Sequence, residues 1–272
     1  MPETLRKRPK SHARTLKHLD ERFTWYARCI EAEPRSCQGT WRSAHGGGAC
    51  TDVALDLGCG KGAFAVAMAR AHPDTLFVGL DCEPACIALA AQLAYESGLA
   101  NVVFALADAE DIRELFAAGE LACLYLNFPT PHPRKKHARE RLTCAEALVG
   151  YRSVLADGAQ LVLRTDSPML FEFTLEQLEL AAYDIVWHSR DLRAEQPGWP
   201  ETAYEQRLVE RGALVHALAA VPAAREPHPE LAESNSLYDY LPDDLSTLRY
   251  VPYGMEAGVE NMRNYRAKHG DG

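Results

Sequence analysis

The chain has 272 residues, 47 % of them hydrophobic and 25 % charged, with a formal net charge of −9. That length can bury a full α/β sheet and still leave extra segments, and the composition is that of an ordinary globular protein. No run approaches the length of a membrane-spanning helix. The basic start (Arg6, Lys7, Arg8, Lys10) lacks the apolar stretch a secretion signal requires, so a cytosolic (cytoplasmic) protein is expected.

Eight cysteines, at positions 29, 37, 50, 59, 82, 86, 123 and 144, are scattered without a C-x-x-C pair. The spacing predicts neither a disulfide framework nor a metal site, and the thiols read as free and buried. A negative total argues against nucleic acid as a partner, but it hides distribution. Arg134, Lys135, Lys136, Arg139 and Arg141 form a second basic cluster, while acid gathers in the C-terminal tail.

In chain order, residues 1–20 read as a basic arm and 19–30 as a short helix. Residues 33–49, rich in Gly, Ser and Arg, read as a linker, in which Trp41 has no evident packing place. From residue 53 short apolar runs alternate with helical stretches. The runs are 53–57, 76–80, 102–106, 123–128 and 160–164, and the stretches 64–70 and 85–95 have helical composition. Residues 186–187 and 213–219 supply two late strands. The alternation predicts an α/β, Rossmann-like fold: a mostly parallel, seven-stranded sheet with helices on both faces. Three units are expected: 1–50 arm and linker, 51–221 central domain, and 222–272 an acidic, tyrosine-containing extension that begins at a proline break and holds a helix over 255–268.

Residues 55–62 read LDLGCGKG, a strand running into a glycine turn with a helix directly after it. Gly58 and Gly60 let the backbone turn sharply and let a ligand lie against it. With Ala63 the run also satisfies the looser dinucleotide pattern. Asp56 discriminates, because a carboxylate there repels a pyrophosphate. It suits a ligand with an ammonium group and a sulfonium centre, as S-adenosylmethionine has. Asp81 ends the second run, placed for ribose hydroxyls. Asp108 and Ala109 follow the third run, placed for the adenine edge. Asn127, near the end of the fourth, is counted with this set.

Beyond Asn127 the chain reads Phe128-Pro129-Thr130-Pro131-His132-Pro133-Arg134-Lys135-Lys136-His137. Alternate prolines continue neither sheet nor helix, so they make a stiff rim where ligands bind in such folds. The basic residues beside it are placed to meet phosphates.

The run LYLNFPTPHPRKKHARERLT resembles the signature of bacterial tRNA (guanine-N7)-methyltransferases, N-F-x-D-P-W-P-K-K-R-H followed by R-R-L-T. Arg164-Thr165-Asp166 resembles that family's K-T-D, and Thr202-Ala203-Tyr204-Glu205 its T-x-Y-E. The resemblance spans residues 53–221. It implies a class I S-adenosylmethionine-dependent methyltransferase forming N7-methylguanosine at the variable-loop guanosine, position 46 of tRNA, without a metal. It implies that Asp56, Asp81 and Asp108 bind the methyl donor and that Arg134, Asp166, Thr202 and Glu205 hold the substrate.

Thr130 and His132 depart from the pattern, standing where the family has a carboxylate, usually assigned as catalytic, and a tryptophan. Guanine N7 carries a free lone pair and needs no deprotonation. The lost carboxylate therefore predicts a slower enzyme rather than a dead one, unless Asp166 supplies the charge; Thr130 and Asp166 are the expected catalytic positions. Two alternatives stay open: a methyltransferase of this fold with another RNA or non-RNA target, and a non-catalytic RNA-binding relative.

Overall fold

The structure, a computed structural model, describes residues 16–46 and 48–269. The basic residues at positions 6–10 lie outside that range. The sheet has eight strands: β1 (Ile30–Glu31), β2 (Asp52–Leu57), β3 (Thr75–Asp81), β4 (Val102–Leu106), β5 (Leu121–Asn127), β6 (Leu155–Thr165), β7 (Tyr183–Ser189) and β8 (His216–Pro222). Their order is β1-β4-β3-β2-β5-β6-β8-β7. All pairs are parallel except those that β8 makes with β6 and β7. The seven expected strands are present, and β1 is an eighth, pairing Ile30 with Phe104 and Glu31 with Ala105 at the sheet edge.

Successive side chains of a strand point to opposite faces, and here both faces are covered. Val53, Leu55 and Leu57 enter one core with Leu148, Tyr151 and Phe171. Ala54 enters the other, with Phe64 and Met68 of α3 (Ala63–Ala71) and Ile87 and Ala91 of α4 (Pro84–Ser97). The helix ends are set locally. Pro84 starts α4 and Gly98, in the left-handed region, stops it. Ser167 caps α7 (Pro168–Leu180) by accepting the Leu170 amide at 3.2 Å.

The segment read as a linker is packed structure. Trp41 opens the short helix α2 (Trp41–His45) and is fully buried. Its indole donates to the Leu115 carbonyl at 2.7 Å, and its ring stacks on Phe116 at 5.4 Å. The expected helix over 19–30 stops at Trp25, giving α1 (Leu19–Trp25); a 3-10 turn over Ala27–Cys29 then leads into β1.

After β8 the chain returns across α7. Leu237, Met255 and Val259 pack on Met169, Leu170 and Phe173, and α10 (Glu256–His269) follows. The order reverses between β2 and β5: from β2 the chain builds outward through β3 and β4, from β5 through β6. A crevice opens beyond the strand ends at such a switch point. No helix among the described residues is long and apolar enough to cross a membrane. All eight cysteines are free thiols.

Candidate active site

Asp56 near the end of β2 and Asn127 at the end of β5 flank the switch point. The Asn127 amide donates to Asp56 Oδ1 at 2.9 Å. Asp56 is 1 % exposed, and its Oδ2, like Asn127 Oδ1, is buried with no partner. Two buried acceptors without a donor are costly. A ligand ammonium group, with three N–H donors, matches that need. Burial raises the Asp56 carboxyl to about 6, against the opposing pull of the Asn127 bond and the Arg164 charge.

The glycine turn beside this pair has left-handed backbone at Gly58, Gly60 and Gly62. A Cβ at Gly62 would stand 2.6 Å from the Phe104 ring, so that glycine is required by packing. At Gly60 a Cβ would meet nothing within 4 Å, and the backbone there faces open space. Asp81 supports the turn: Oδ2 accepts the Gly60 amide and Oδ1 the Glu83 amide, each at 2.9 Å. Each oxygen keeps a lone pair for a ligand hydroxyl. Asp108 is half-buried and accepts the Glu110 amide at the start of the 3-10 turn Ala109–Asp111.

The proline rim is a strained loop held at several points. Phe128 (φ 50) and His132 (φ 47) are left-handed without being glycine, a conformation that costs on the order of 1–3 kcal/mol and persists only when the surroundings over-determine it. The clamps are visible. The Phe128 amide donates to the Arg164 carbonyl at 2.7 Å. Arg141 donates to the carbonyls of Pro131 (3.2 Å) and His132 (3.0 and 3.1 Å), its guanidinium 4.4 Å from the Phe173 ring centre. From the C-terminal extension, Ser236 Oγ and the Leu237 amide donate to the Pro133 carbonyl at 3.1 and 2.9 Å. Thr130, between the two strained residues, is exposed.

Next to the rim, β6 delivers Arg164 and Asp166. Arg164 is fully buried, donating to Glu205 and to the Pro200 carbonyl, with the rings of Phe64 and Phe128 5.2 and 5.5 Å away. Asp166 is 7 % exposed and accepts a bond from the Tyr250 hydroxyl of the extension. Burial raises its carboxyl, while Tyr250 and Arg211 pull the other way. Phe128 meets Tyr204 edge-on at 5.5 Å. Asp166 is thus a buried carboxylate with Tyr250 and Tyr204 as aromatic neighbours.

A family model described as "Putative methyltransferase" matches residues 51–218. A tRNA (guanine-N(7)-)-methyltransferase of Geobacillus kaustophilus is 34 % identical over 204 residues, covering 74 % of this chain and 92 % of the relative. One of Levilactobacillus brevis is 34 % identical, covering 80 % and 98 %, and one of Limosilactobacillus reuteri 38 %, covering 61 % and 79 %. The chain belongs to the tRNA (guanine-N7)-methyltransferase family. Solved structures of the 16S rRNA methyltransferase KamB (TM-score 0.54, 20 % identity, 68 % of this chain and 93 % of that one) and of a 16S rRNA (adenine(1408)-N(1))-methyltransferase from Catenulisporales acidiphilia (TM-score 0.51, 21 % identity, 70 % and 93 %) share its fold.

Within this family member the expected site residues do not all lie at the surface of the crevice. Asp56, Gly58, Gly60, Asp81 and Asn127 gather at the switch point, with Asp108 and Ala109 at the end of the neighbouring β4. Arg134, Lys135, Lys136 and Arg139 are exposed along the rim. Arg141, read with that basic cluster, is instead buried as the loop clamp. Glu205, expected at the guanosine, lies inside the fold with one oxygen to Arg164 and the other to Arg193. Thr202 caps α9 (Ala203–Glu210), accepting the Glu205 amide at 3.2 Å. The sequence reading passed over Arg164 as a site residue, although a charged residue in a buried strand signals a fixed partner. It had no means of finding Tyr250, which lies beyond the family match.

Proposed function

We propose that the protein methylates N7 of a tRNA guanosine, in the cytoplasm, using S-adenosylmethionine. The observation that carries the reading is the pair of buried, unpartnered acceptors, Asp56 Oδ2 and Asn127 Oδ1, beside an open glycine turn at the switch point. When bound, the methyl donor would supply a sulfonium methyl group, an electrophile for the N7 lone pair. Asp56 and Asn127 would hold its ammonium end, Asp81 the ribose hydroxyls, and Asp108 with Ala109 the adenine side. Because N7 needs no base, the chain's task is alignment and charge stabilisation.

Asp166 would meet the base beside Phe128, Tyr204 and Tyr250. The aromatic edges fit a flat base, and the carboxylate fits the ring N–H and amino group of guanine or the positive charge on the methylated product. Glu205 acts through Arg164 as a positioning residue. Arg134, Lys135, Lys136 and Arg139 run beside the rim and suit the tRNA backbone.

The test is transfer of labelled methyl groups to bulk tRNA lacking the modification. Label should enter tRNA with the wild-type chain and be lost with Asp81→Ala. Label entering ribosomal RNA but not tRNA would refute the substrate, and no cofactor binding by calorimetry would refute the site.

A further inference from the structure

Far from the crevice, three side chains from three separate elements converge. Glu31 ends β1, Cys37 ends the 3-10 turn Pro34–Cys37, and His45 ends α2. His45 Nε2 lies 2.8 Å from Glu31 Oε2 and 3.9 Å from Cys37 Sγ. All three ligand atoms fall within 4.8 Å of one another. We propose that Glu31, Cys37 and His45 form a zinc site that fastens the N-terminal segment to the edge of the sheet.

A hydrolytic or redox triad is a relay in which one histidine nitrogen faces the thiol and the other the carboxylate. Here the same nitrogen, Nε2, faces both, so the three groups point at a common centre instead of along a chain. The thiol is also only 4 % exposed, which suits a ligand better than a nucleophile. Zinc bonds of about 2.0–2.3 Å set tetrahedral ligand separations of about 3.3–3.8 Å. The two separations from His45 Nε2, 2.8 and 3.9 Å, reach that range with shifts of roughly half an ångström, and the third pair, within 4.8 Å, with about an ångström. Sulfur and imidazole donors favour zinc over magnesium or calcium. One thiolate and one carboxylate neutralise the double positive charge in a half-buried place.

The groups are also held as ligands need to be. The other oxygen of Glu31, Oε1, accepts the Glu33 amide at 2.7 Å, which turns Oε2 inward. The buried Trp41 pins the helix that carries His45. A surface cavity of about 270 Å³, lined by Arg28, Cys29, His45 and Leu99 among others, opens the His45 side of the cluster to solvent. Binding would release the Cys37 proton to solvent, so affinity should fall as pH is lowered. The absence of a C-x-x-C pair conceals such a site, because each ligand comes singly from a different element.

The test uses the full chain, stripped with a chelator under reducing conditions. When zinc is added back, one equivalent should stay bound through gel filtration and raise the melting temperature by about 5 °C. Cobalt in place of zinc should give a thiolate-to-metal charge-transfer band. That band should vanish in Cys37→Ser and persist in Cys29→Ser. If Cys37→Ser does not fold, His45→Gln and Glu31→Gln should weaken zinc binding at least tenfold. No zinc retained and no band at stoichiometric cobalt would mean a hydrogen-bonded triad without metal. A band unchanged in Cys37→Ser would place the metal on other thiols, and either result overturns the proposal.

Discussion

Asp56 sets stability against function within one side chain. Its carboxyl is raised from 3.8 to about 6 by burial, so the folded chain holds the proton more tightly than the unfolded chain. Stability from this group is therefore fully present below pH 3.8 and lost as pH rises through about 6. Asp56→Asn should raise the stability of the ligand-free protein by on the order of 2 kcal/mol in urea titration. The same change should weaken S-adenosylmethionine at least tenfold. For the wild type, affinity should drop about tenfold per pH unit below 6 as the carboxylate takes up its proton. Affinity that is flat from pH 7 to 5 would remove Asp56 from the ammonium contact. Thr130 gives the opposite case. A carboxylate there should stabilise the cationic product more than the neutral base, so Thr130→Asp should raise single-turnover methylation about tenfold with cofactor affinity similar. A fall in rate with normal folding and tRNA binding would show a site built around threonine, with Asp166 already supplying the charge.

At the scale of elements, the parallel strands and the glycine turn were legible because their signals are local: apolar runs of one strand length, and glycines whose backbone or packing admits nothing else. The places of Asp56, Asp81 and Asp108 at the strand ends were legible for the same reason, since a strand end followed by a turn fixes a direction. Trp41 and Arg141 were not. Composition marked one as linker and the other as surface charge, and only tertiary partners distant in sequence, Leu115, Phe116 and Phe173, bury them. Glu205 likewise looked available until Arg164 and Arg193 were brought to it. The rim loop shows what such partners do. Arg141→Ala would leave the Pro131 and His132 carbonyls without their clamp beside two left-handed residues. Turnover should fall at least tenfold and stability by about 2–3 kcal/mol, with cofactor affinity unchanged. Single-turnover rates and calorimetry measure the two effects separately; an unchanged rate would mean that the rim needs no fixed shape.

Across the whole molecule, the extension from Pro222 onward is tied to both the fold and the candidate site. It covers Met169, Leu170 and Phe173, holds the Pro133 carbonyl and lends Tyr250 to Asp166. Tyr250→Phe removes a bond that lowers the Asp166 carboxyl while leaving it buried, so that carboxyl should rise. At saturating cofactor, the acid limb of kcat should move to higher pH. The net charge of −9 makes a second feature informative. If tRNA lies on the exposed run Arg134, Lys135, Lys136 and Arg139, log affinity should still fall steeply with log salt, and Lys135→Ala with Lys136→Ala should flatten the slope.

The central claim, methyl transfer to guanine N7 of tRNA, is tested most directly by nucleoside mass spectrometry. Unmodified tRNA is incubated with the full chain and S-adenosylmethionine carrying a heavy methyl group, then digested to nucleosides. The account predicts heavy N7-methylguanosine, abolished by Asp81→Ala. Heavy label in any other nucleoside, or none in tRNA while the cofactor binds normally, would contradict it.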